Sequence, residues 1–450
     1  MKIHFIAIGG SAMHNLALAL QKEGHEVTGS DDEIFEPSRS RLAAKGILPP
    51  AYGWFPEKIH AGLDAVIVGM HARNDNPELS RTKELGLPFF SYPEFLYEQT
   101  KNKTRIVIGG SHGKTTVTSM IMHVMKHAGI DFDYMVGSLI EGFDNMVNFS
   151  TTSKYAVFEG DEYLSSPTDL RPKFHLYMPH VAVITGIAWD HVNVFPTFEN
   201  YVEQFKIFCD KIEPSGSLIY FGGDAEVQKL AGTCRRDVNT QVYEAHPYTV
   251  RDNATFLNTS AGEIPVLVFG EHNMQNLQAA LLVCRQVGVS DTDFYKHISY
   301  FSGAAKRLQK LKSSQNLELY LDFAHSPSKL KATIEAVKKQ HSGHKLLACF
   351  ELHTFSSLSE SFLPQYAHCM DVADEAAVFV NPHAFEMKRM TPFTPEQIRE
   401  GFARNNITVF FDEKEIEVWL QTYAGAKNCV LMMSSGNFNG LNLTNLNINS

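Results

Sequence analysis

A glycine-rich turn between a strand and a helix constrains the fold of this chain more than any other feature. Residues 108–116 read Ile-Gly-Gly-Ser-His-Gly-Lys-Thr-Thr, and residues 105–108 have the apolar character of a strand. After the turn, five apolar residues recur at the spacing of one helix face, namely Val117, Met120, Ile121, Val124 and Met125. This order predicts a phosphate-binding loop, in which main-chain N–H groups and the positive end of the helix bind phosphate oxygens.

The residues of this loop suit a nucleotide phosphate together with a metal ion. The predicted nucleotide-binding residues are Gly110, Ser111, His112, Gly113, Lys114, Thr115 and Thr116. Lys114 can reach the β- and γ-phosphates, and the Thr115 hydroxyl can ligate Mg²⁺. Gly109 stands only four positions before Gly113, one fewer than in the common loop, which indicates an unusual branch of nucleotide enzymes.

Composition limits the other classes of function. The 450 residues suggest about three domains, and 44% hydrophobic with 20% charged residues is typical of globular cores. A net charge of −10 argues against nonspecific nucleic-acid binding. No apolar run approaches the ~20 residues that span a bilayer, so no membrane partner is expected. Six scattered cysteines indicate the reduced thiols of a cytoplasmic protein, which we expect to be a monomer or a weak homo-oligomer.

Strands that alternate with helices predict an α/β fold with parallel sheets. Polar stretches near residues 98–103 and 301–303 divide the chain into three predicted domains, residues 1–100, 101–302 and 303–450. We expect the first and third domains to be Rossmann-like and the central one to resemble P-loop ATPases. Within the central domain, residues 213–270 have the pattern of short strands and turns. Polar residues collect where strands end, and open α/β sheets bind ligands there.

A second glycine turn, Gly9-Gly10, follows the first predicted strand, residues 2–8. Asp31 ends the next strand, at about the distance at which an acidic residue contacts a ribose. A site for a nucleotide diphosphate formed by Gly9, Gly10, Ser11 and Asp31 is therefore predicted. An NAD site and a purely structural turn are the alternatives.

Two polar segments beyond the phosphate loop suggest metal ligands. Residues 159–162, Glu-Gly-Asp-Glu, follow the predicted strand of residues 155–158, and Asp190-His191 follows the strand of residues 181–184. Carboxylate oxygens suit Mg²⁺, so Glu159 and His191 are predicted to bind it together with Thr115. A solvated acidic turn and a structural histidine are the alternatives.

Further candidates lie toward the carboxyl end. Asn273 can pair with the edge of a base, although it can also cap its helix. Arg307 can bind phosphate oxygens with its planar fork, or belong to a solvated basic pair. Asp322 and His325 follow the predicted strand of residues 317–321, and His353 follows that of residues 345–350. These three can hold an incoming amine or a phosphate.

These motifs, in this order, resemble those of the Mur ligases, ATP-dependent amide-forming enzymes of peptidoglycan assembly. Residues 110–116 resemble the phosphate loop of that family, and residues 271–276 resemble its adenine-contact segment. Glu159-Gly-Asp-Glu-Tyr163 is similar to Glu-Ala-Asp-Glu-Tyr, and residues 321–327, Leu-Asp-Phe-Ala-His-Ser-Pro, are similar to Asp-Asp-Phe-Ala-His-His-Pro. The first predicted domain, residues 1–100, is similar to that of the family members that act directly on UDP-N-acetylmuramate.

The resemblance implies ATP and Mg²⁺ as cofactors, UDP-N-acetylmuramate as substrate of the first domain, and an acyl phosphate intermediate. It implies catalytic roles for Lys114, Glu159, His191 and Arg307. It further implies ATP contacts for Asn273 and Asp322, and acceptor contacts for His325 and His353. The third domain is expected to choose the amine and to close onto ATP. Two other functions are possible, namely a P-loop switch that only hydrolyses ATP and an NAD-binding protein. Each of them would account for the motifs of only one of the three predicted domains.

The acceptor amine depends on details of the resemblance. Three details favour the tripeptide L-Ala-γ-D-Glu-meso-diaminopimelate as the acceptor. They are Tyr163, the form of residues 190–195, and the tail of residues 433–440, Met-Ser-Ser-Gly-Asn-Phe-Asn-Gly. Ser326 replaces a second histidine, and residues 351–356, Glu-Leu-His-Thr-Phe-Ser, depart from the tripeptide-adding form. Because His353 is similar to the alanine-adding form, L-alanine is the alternative acceptor.

Overall fold

The computed structural model describes residues 1–167, 169–189, 194–303, 307–423 and 427–443. The chain divides into two compact units, Met1–Glu244 with Gln278–His297, and Ala245–Leu277 with Ile298–Ser450. The prediction of an α/β fold is confirmed, because the three largest sheets consist mainly of parallel strands connected by helices. Among the described residues, no helix has both the length and the apolar character needed to cross a membrane.

The first unit begins with a four-stranded parallel sheet and its helices. In chain order these are β1 (Lys2–Ile6), α1 (Ser11–Lys22), β2 (Glu26–Ser30), α2 (Ser38–Ala44), β3 (Ala65–Val68), α3 (Pro77–Glu84), β4 (Phe89–Ser91) and α4 (Tyr92–Thr100). The strand order β2-β1-β3-β4 reverses at β1, so the turn after β1 lies at a topological switch point. β1 ends two residues earlier than predicted because Ala7 adopts φ 69° and donates its N–H to Ser30 O at 2.9 Å.

A seven-stranded sheet follows the first sheet in this unit. Its region contains β5 (Thr104–Gly109), α5 (Lys114–His127), β6 (Phe132–Met135), β7 (Val147–Asn148), β8 (Tyr155–Glu159), β9 (Leu164–Ser166), β10 (Asp169–Pro172), β11 (Val181–Ile184), α6 (Phe198–Asp210), β12 (Ser217–Phe221), α7 (Ala225–Gly232) and β13 (Asn239–Tyr243). The sheet order is β13-β12-β11-β5-β8-β6-β7, and β9 and β10 form a separate antiparallel pair. β8 lies beside β5, with Glu159 opposite Ile108, so the predicted closeness of the acidic turn to the phosphate loop is confirmed.

The stretch predicted as short strands and turns also contains a helix, α7, which that prediction missed. The Asp224 carboxylate caps it by accepting the N–H groups of Glu226 and Val227 at 2.9 and 3.1 Å. Val227 and Leu230 are buried on one side of the helix. A capping residue with only two turns of apolar pattern is a weak signal beside the strands that surround it.

The second unit contains a three-stranded antiparallel sheet and a six-stranded sheet. Its region contains β14 (Tyr248–Arg251), β15 (Ala254–Thr259), β16 (Gly262–Val266), α8 (Glu271–Gln286), α9 (Asp291–Ile298), β17 (Gln309–Ser313), β18 (Leu317–Asp322), α10 (Pro327–Gln340), β19 (Lys345–Leu352), β20 (Glu375–Val380), α11 (Pro382–Met387), α12 (Pro395–Gly401), β21 (Thr408–Phe410), α13 (Glu413–Gln421) and β22 (Asn428–Met433). α8 and α9 contribute residues to both units. The larger sheet has the order β17-β18-β22-β19-β20-β21, and its strands are parallel except for β17.

Helices cover both faces of this larger sheet. Along β19, Leu346, Ala348 and Phe350 belong to one buried cluster, whereas Leu347 and Cys349 belong to another. This alternation explains why β19 reads as a continuous apolar run, as expected for a parallel strand buried on both faces. The polar residues then begin at the carboxyl ends of the strands, where the packing of the helices ends.

Arg41 links the first sheet to the seven-stranded sheet within the first unit. Its Nη1 donates to Asn15 Oδ1 at 2.7 Å, and its Nη2 donates to Asn145 Oδ1 at 3.0 Å. Asn15 lies on α1, the helix that follows the first glycine turn, and Asn145 precedes β7. These bonds therefore fix the position of that helix against the edge of the larger sheet.

Arg105 is the most heavily bonded side chain at the start of β5. Its guanidinium is 1% exposed, and it pairs with Glu213 Oε1 at 2.7 Å. Burial lowers the pKa of Arg105, and the charge of Glu213 opposes that shift. The remaining N–H groups donate to five main-chain carbonyls, those of Tyr177, Met178, Thr100, Lys101 and Lys103. Arg105 therefore joins the chain segment before β5 to the segment before β11.

We expect Arg105→Leu to destabilise the first unit by about 3 kcal/mol, because it leaves Glu213 and several carbonyls without their donor. Thermal unfolding followed by calorimetry would measure the effect. Arg81→Leu is the matched control, since Arg81 is 45% exposed and its ion pair within the described residues is with Glu84 on its own helix. Equal melting temperatures for the two variants would contradict the role assigned to Arg105.

Candidate functional site

The predicted strand, turn and helix of the phosphate loop are confirmed, because the turn joins β5 to α5. Gly110 has φ 130° and Gly113 has φ 74°, conformations that favour glycine. A Cβ atom on Gly110 would collide with Thr185 Oγ1 and would lie 2.9 Å from Thr185 N. The close approach of β11 therefore requires glycine, and the turn leaves the first N–H groups of α5 at the carboxyl end of β5.

Lys114 is the first residue of α5, and its ammonium points back into the turn. Nζ donates to Gly110 O and to Glu162 Oε2, both at 2.6 Å. Burial by itself lowers the pKa of Lys114, but the carboxylates of Glu162, Asp161 and Glu159 outweigh it and raise that pKa. The side chains of Lys114 and Glu162 are 14% and 1% exposed, so the pair is almost removed from water.

Thr115 and Glu159 bring two oxygen atoms together beside the turn. Thr115 Oγ1 donates to Glu159 Oε1 at 2.8 Å, and the Gly137 N–H donates to Glu159 Oε2 at 2.7 Å. A hydroxyl and a carboxylate are hard oxygen ligands, so the chemistry of these two side chains fits Mg²⁺. The other predicted ligand, His191, lies outside the described residues. Within those residues, no three His, Cys, Asp or Glu side chains form a group that could hold a metal ion.

Tyr201 belongs to this site although no sequence motif indicated it. Its hydroxyl donates to Glu162 Oε1 at 3.0 Å and lies 2.9 Å from Ser111 Oγ. Ser111 Oγ in turn accepts the N–H of Ala188 at 2.9 Å. Helix α6 thus holds both the turn and the carboxylate that pairs with Lys114. Tyr201 is 90 residues from Ser111 in the chain, so only the tertiary structure connects them.

Two further predicted residues of the loop contribute to its structure. The carbonyl of His112 accepts a hydrogen bond from Thr185 Oγ1, which ties the turn to the end of β11. Thr116 is buried in the first turn of α5. All seven predicted residues of the loop therefore lie together, and their contacts with a nucleotide are still predictions.

The four residues predicted to form the first glycine site also lie together. The Gly9 N–H donates to Asp31 Oδ2 at 2.6 Å, and a Cβ atom on Gly9 would lie 2.9 Å from that oxygen. Ser11 begins α1 directly after Gly10. Asp31 is 1% exposed, so its carboxylate supports the turn from the protein side. Contact of Asp31 with a ribose stays a prediction.

The environment of Asp31 also perturbs its ionisation. Burial, together with the smaller effect of the neighbouring Asp32, raises the pKa of its carboxyl to about 6 against the lowering effect of the Gly9 N–H. The charged form of Asp31 is therefore less favourable in the folded protein than in the unfolded chain.

Three predicted residues gather at the end of β18 in the second unit. Asp322 accepts the Leu308 N–H at 2.6 Å and the Ala324 N–H at 2.7 Å, so its carboxylate shapes the loops on both sides. The Arg307 guanidinium carbon lies 4.6 Å from the centre of the Phe323 ring. His325 Nδ1 lies 2.9 Å from Phe323 O, and the Tyr366 hydroxyl donates to His325 O at 2.6 Å.

The ends of β19 and β22 meet around Glu351, the first residue of the predicted polar segment Glu351-Leu-His353. Glu351 is 1% exposed and accepts the Phe438 N–H at 2.8 Å and a bond from Ser434 Oγ. His353 lies 3.3 Å from Ser435 Oγ through its Nδ1 atom. A Cβ atom on Gly436 would lie 2.6 Å from His353 Cδ2, so a larger residue at that position would displace the His353 ring.

Asn273 occupies the first turn of α8 and is buried. Its Nδ2 donates to Phe269 O at 2.8 Å, four residues before it in the chain. This bond joins the side chain to the main chain before the helix and is not a cap, because a capping side chain accepts the free N–H groups of the first turn. The predicted contact with adenine stays a prediction.

The Lys114–Glu162 pair predicts a specific pattern of stability. Lys114→Met should destabilise the first unit by about 3 kcal/mol, because Glu162 would keep its charge in a buried position without a cation. Adding Glu162→Gln should recover most of the loss, since a neutral amide can still interact with Tyr201. Melting temperatures of the wild type, both single variants and the double variant would measure this coupling. A double variant as unstable as Lys114→Met would contradict it.

The raised pKa of Asp31 predicts that the first unit loses stability as the pH rises. The folded carboxyl binds its proton up to about pH 6, whereas the unfolded one releases it near 3.8. The stability is therefore complete below pH 3.8 and is lost as the pH rises through 6, by about 3 kcal/mol. Asp31→Asn should flatten the profile of melting temperature between pH 4 and 7, whereas the exposed control Asp75→Asn should not. Parallel profiles for Asp31→Asn and wild type would refute this.

Comparison with known proteins places all three regions in one family. The Mur ligase family catalytic domain matches residues 2–104, the Mur ligase middle domain matches residues 108–284, and the Mur ligase glutamate ligase domain matches residues 306–436. These ranges contain every residue that the sequence predicted for a site.

Individual proteins agree with this result. The chain is 30% identical to the UDP-N-acetylmuramate–L-alanine ligase of Carboxydothermus hydrogenoformans, over 98% of this chain and 95% of that one. It shares its fold with a murein peptide ligase from Psychrobacter arcticus, at 24% identity and a TM-score of 0.64, over 98% and 97% of the two chains. The chain also shares its fold with the UDP-N-acetylmuramate–alanine ligase of Thermotoga maritima, at 20% identity and a TM-score of 0.70, over 98% and 97% of the two chains. The chain therefore belongs to the Mur ligase family, whose members are ATP-dependent, ADP-forming amide ligases of peptidoglycan synthesis.

Proposed function

We propose that this chain joins the carboxylate of UDP-N-acetylmuramate to the amine of a peptide, with conversion of ATP to ADP and phosphate. The observation that carries the proposal is the buried pair of Lys114 and Glu162 at the phosphate loop, in the same compact unit as the glycine turn of residues 9–11. Support comes from the relative in Carboxydothermus hydrogenoformans, which is named for its action on UDP-N-acetylmuramate.

The reaction would proceed in two steps. A carboxylate oxygen of the sugar attacks the γ-phosphorus of ATP, the bond to ADP breaks, and an acyl phosphate forms. The acceptor nitrogen then attacks the acyl carbon, loses a proton, and phosphate leaves. Such transfers depend on in-line positioning and charge neutralisation more than on covalent catalysis by side chains.

Lys114 can serve this reaction without giving up its pair with Glu162. Its ammonium carries three donors, and the contacts with Gly110 O and Glu162 use two of them. The third donor is available for a phosphate oxygen. Thr115, Glu159 and His191 would hold Mg²⁺, which when bound would neutralise charge on the β- and γ-phosphate oxygens.

The remaining predicted residues receive roles by their position in the fold. In the first unit, Gly9, Gly10, Ser11 and Asp31 would form the site for the UDP group. In the second unit, Asn273 would contact adenine, and Arg307 and Asp322 would contribute to binding of the nucleotide. His325 and His353 would face the acceptor or the acyl phosphate, since both follow strands at the carboxyl edge of the same sheet.

We propose the tripeptide L-Ala-γ-D-Glu-meso-diaminopimelate as the acceptor. The tail that favours it in the sequence lies beside His353, which is proposed to face the acceptor, because Phe438 bonds to Glu351 and Gly436 packs against His353. L-Alanine is the second candidate, favoured by His353 and by the L-alanine ligase of Carboxydothermus hydrogenoformans.

An acceptor panel tests both levels of the proposal. Wild-type protein with Mg-ATP and UDP-N-acetylmuramate should yield a product whose mass equals sugar nucleotide plus tripeptide minus water, with one ADP released for each bond. The double variant Lys114→Met/Glu162→Gln is the folded control and should form no product. Product with L-alanine alone would overturn the tripeptide assignment. A rate of ATP hydrolysis that is the same with and without UDP-N-acetylmuramate and acceptor would overturn the ligase function.

A further inference from the structure

A cation without an acidic partner lies at the carboxyl edge of the six-stranded sheet. Lys388 follows α11, and its half-buried ammonium donates a hydrogen bond to His353 O. Burial lowers the pKa of Lys388, and the more distant charge of Glu351 opposes that shift. Within the part of the chain that the structure describes, Lys388 forms no ion pair.

Glu351 is the carboxylate whose charge acts on Lys388, but other groups already occupy its oxygens. Asn381 Nδ2 donates to Oε1 at 3.2 Å, and the Phe438 N–H donates to Oε2 at 2.8 Å. Ser434 Oγ donates to the same Oε2 atom. Glu351 is thereby committed to holding the loops after β20 and β22, so the Lys388 ammonium remains free to bind another anion.

Lys388 and Arg307 lie at separate places along this edge. β18 and β19 pair with opposite sides of β22, and Asp322 and Phe350 both stand opposite Met433. Adjacent strands are ~4.8 Å apart, so the ends of β18 and β19 are ~10 Å apart. Arg307 is next to the end of β18, whereas Lys388 is next to the end of β19. The two cations can therefore bind two different anionic groups.

The acceptor side of the edge has few other sources of positive charge. Residues 353–362, which follow β19, contain no lysine or arginine. The whole chain carries a net charge of −10, so an anionic acceptor needs a local cation. Lys388 meets that need, because an ammonium bonded to one carbonyl has two further donors for a carboxylate.

On the basis of the proposed function, we propose that Lys388 binds a carboxylate of the acceptor and makes the enzyme select acceptors that carry one. The contact with His353 O sets the direction of the ammonium, and the charge-assisted bond to the carboxylate fixes the acceptor beside His353. Lys388 is then a determinant of acceptor specificity, with no part in the bond-forming steps.

Steady-state kinetics of Lys388→Gln, with the exposed Lys414→Gln as matched control, test this assignment. Lys388→Gln should raise the KM for the acceptor about ten- to a hundredfold, with the KM for ATP and kcat nearly unchanged. Lys388→Arg keeps the charge and should restore most of the affinity. Unchanged melting temperatures would show that the variants fold.

Acceptors with amidated carboxyl groups provide the second half of the test. The compounds are amides of the tripeptide, or L-alaninamide if the wild type accepts L-alanine. Amidation of the recognised carboxylate should raise the KM of wild type but not that of Lys388→Gln, because the two changes remove the same interaction. Additive effects, or an acceptor KM unaltered by Lys388→Gln, would overturn the role of Lys388 while the ligase function stands. Absence of product from wild type with either acceptor would overturn both proposals.

Discussion

The ion pair between Lys114 and Glu162 is the interaction on which the architecture of the first unit depends. Lys114 begins α5, Glu162 follows β8, and Tyr201 of α6 bonds to Glu162 and Ser111. Three elements that are far apart in the chain are thereby fixed around one turn. A nearly buried ammonium would be costly without a carboxylate, and the carboxylate would be equally costly without the ammonium. The pair therefore places a lysine at the helix end and holds it there.

A related arrangement recurs at the ends of the parallel strands. A buried carboxylate accepts a main-chain N–H in each case, namely Asp31 from Gly9, Glu159 from Gly137, Asp322 from Ala324 and Glu351 from Phe438. Loops at these ends leave N–H groups outside the sheet, and buried N–H groups need acceptors. Ionised carboxylates are strong acceptors, so each one fixes the shape of a loop. These four carboxylates therefore position the main chain of the loops at these sites.

Local patterns were sufficient to predict the parallel sheets and the phosphate loop, because strand, turn and helix lie next to each other in the chain. The closeness of β8 to β5 was also predictable, since polar ends of parallel strands meet at one edge. Tyr201 was not recognised, because its role arises from contacts between distant segments. The bonds of Glu351 to Phe438 and Ser434 were not predictable for the same reason. The end of β1 was misplaced for a different reason, since Ala7 adopts a positive φ that apolar composition does not reveal.

The depth of burial explains why Lys114 is paired with a carboxylate whereas Lys388 is bonded only to a carbonyl. The Lys114 side chain is only 14% exposed, and at that depth the charge requires a permanent partner, which Glu162 supplies. Lys388 is half-buried, so water still screens its charge and a single carbonyl contact is sufficient to orient it. An anion that reaches Lys114 must share it with Glu162, and the N–H groups of the helix end must add to the attraction. An anion that reaches Lys388 instead meets an ammonium that forms no ion pair within the described chain and that is influenced only by the charge of Glu351, whose oxygens are already hydrogen-bonded.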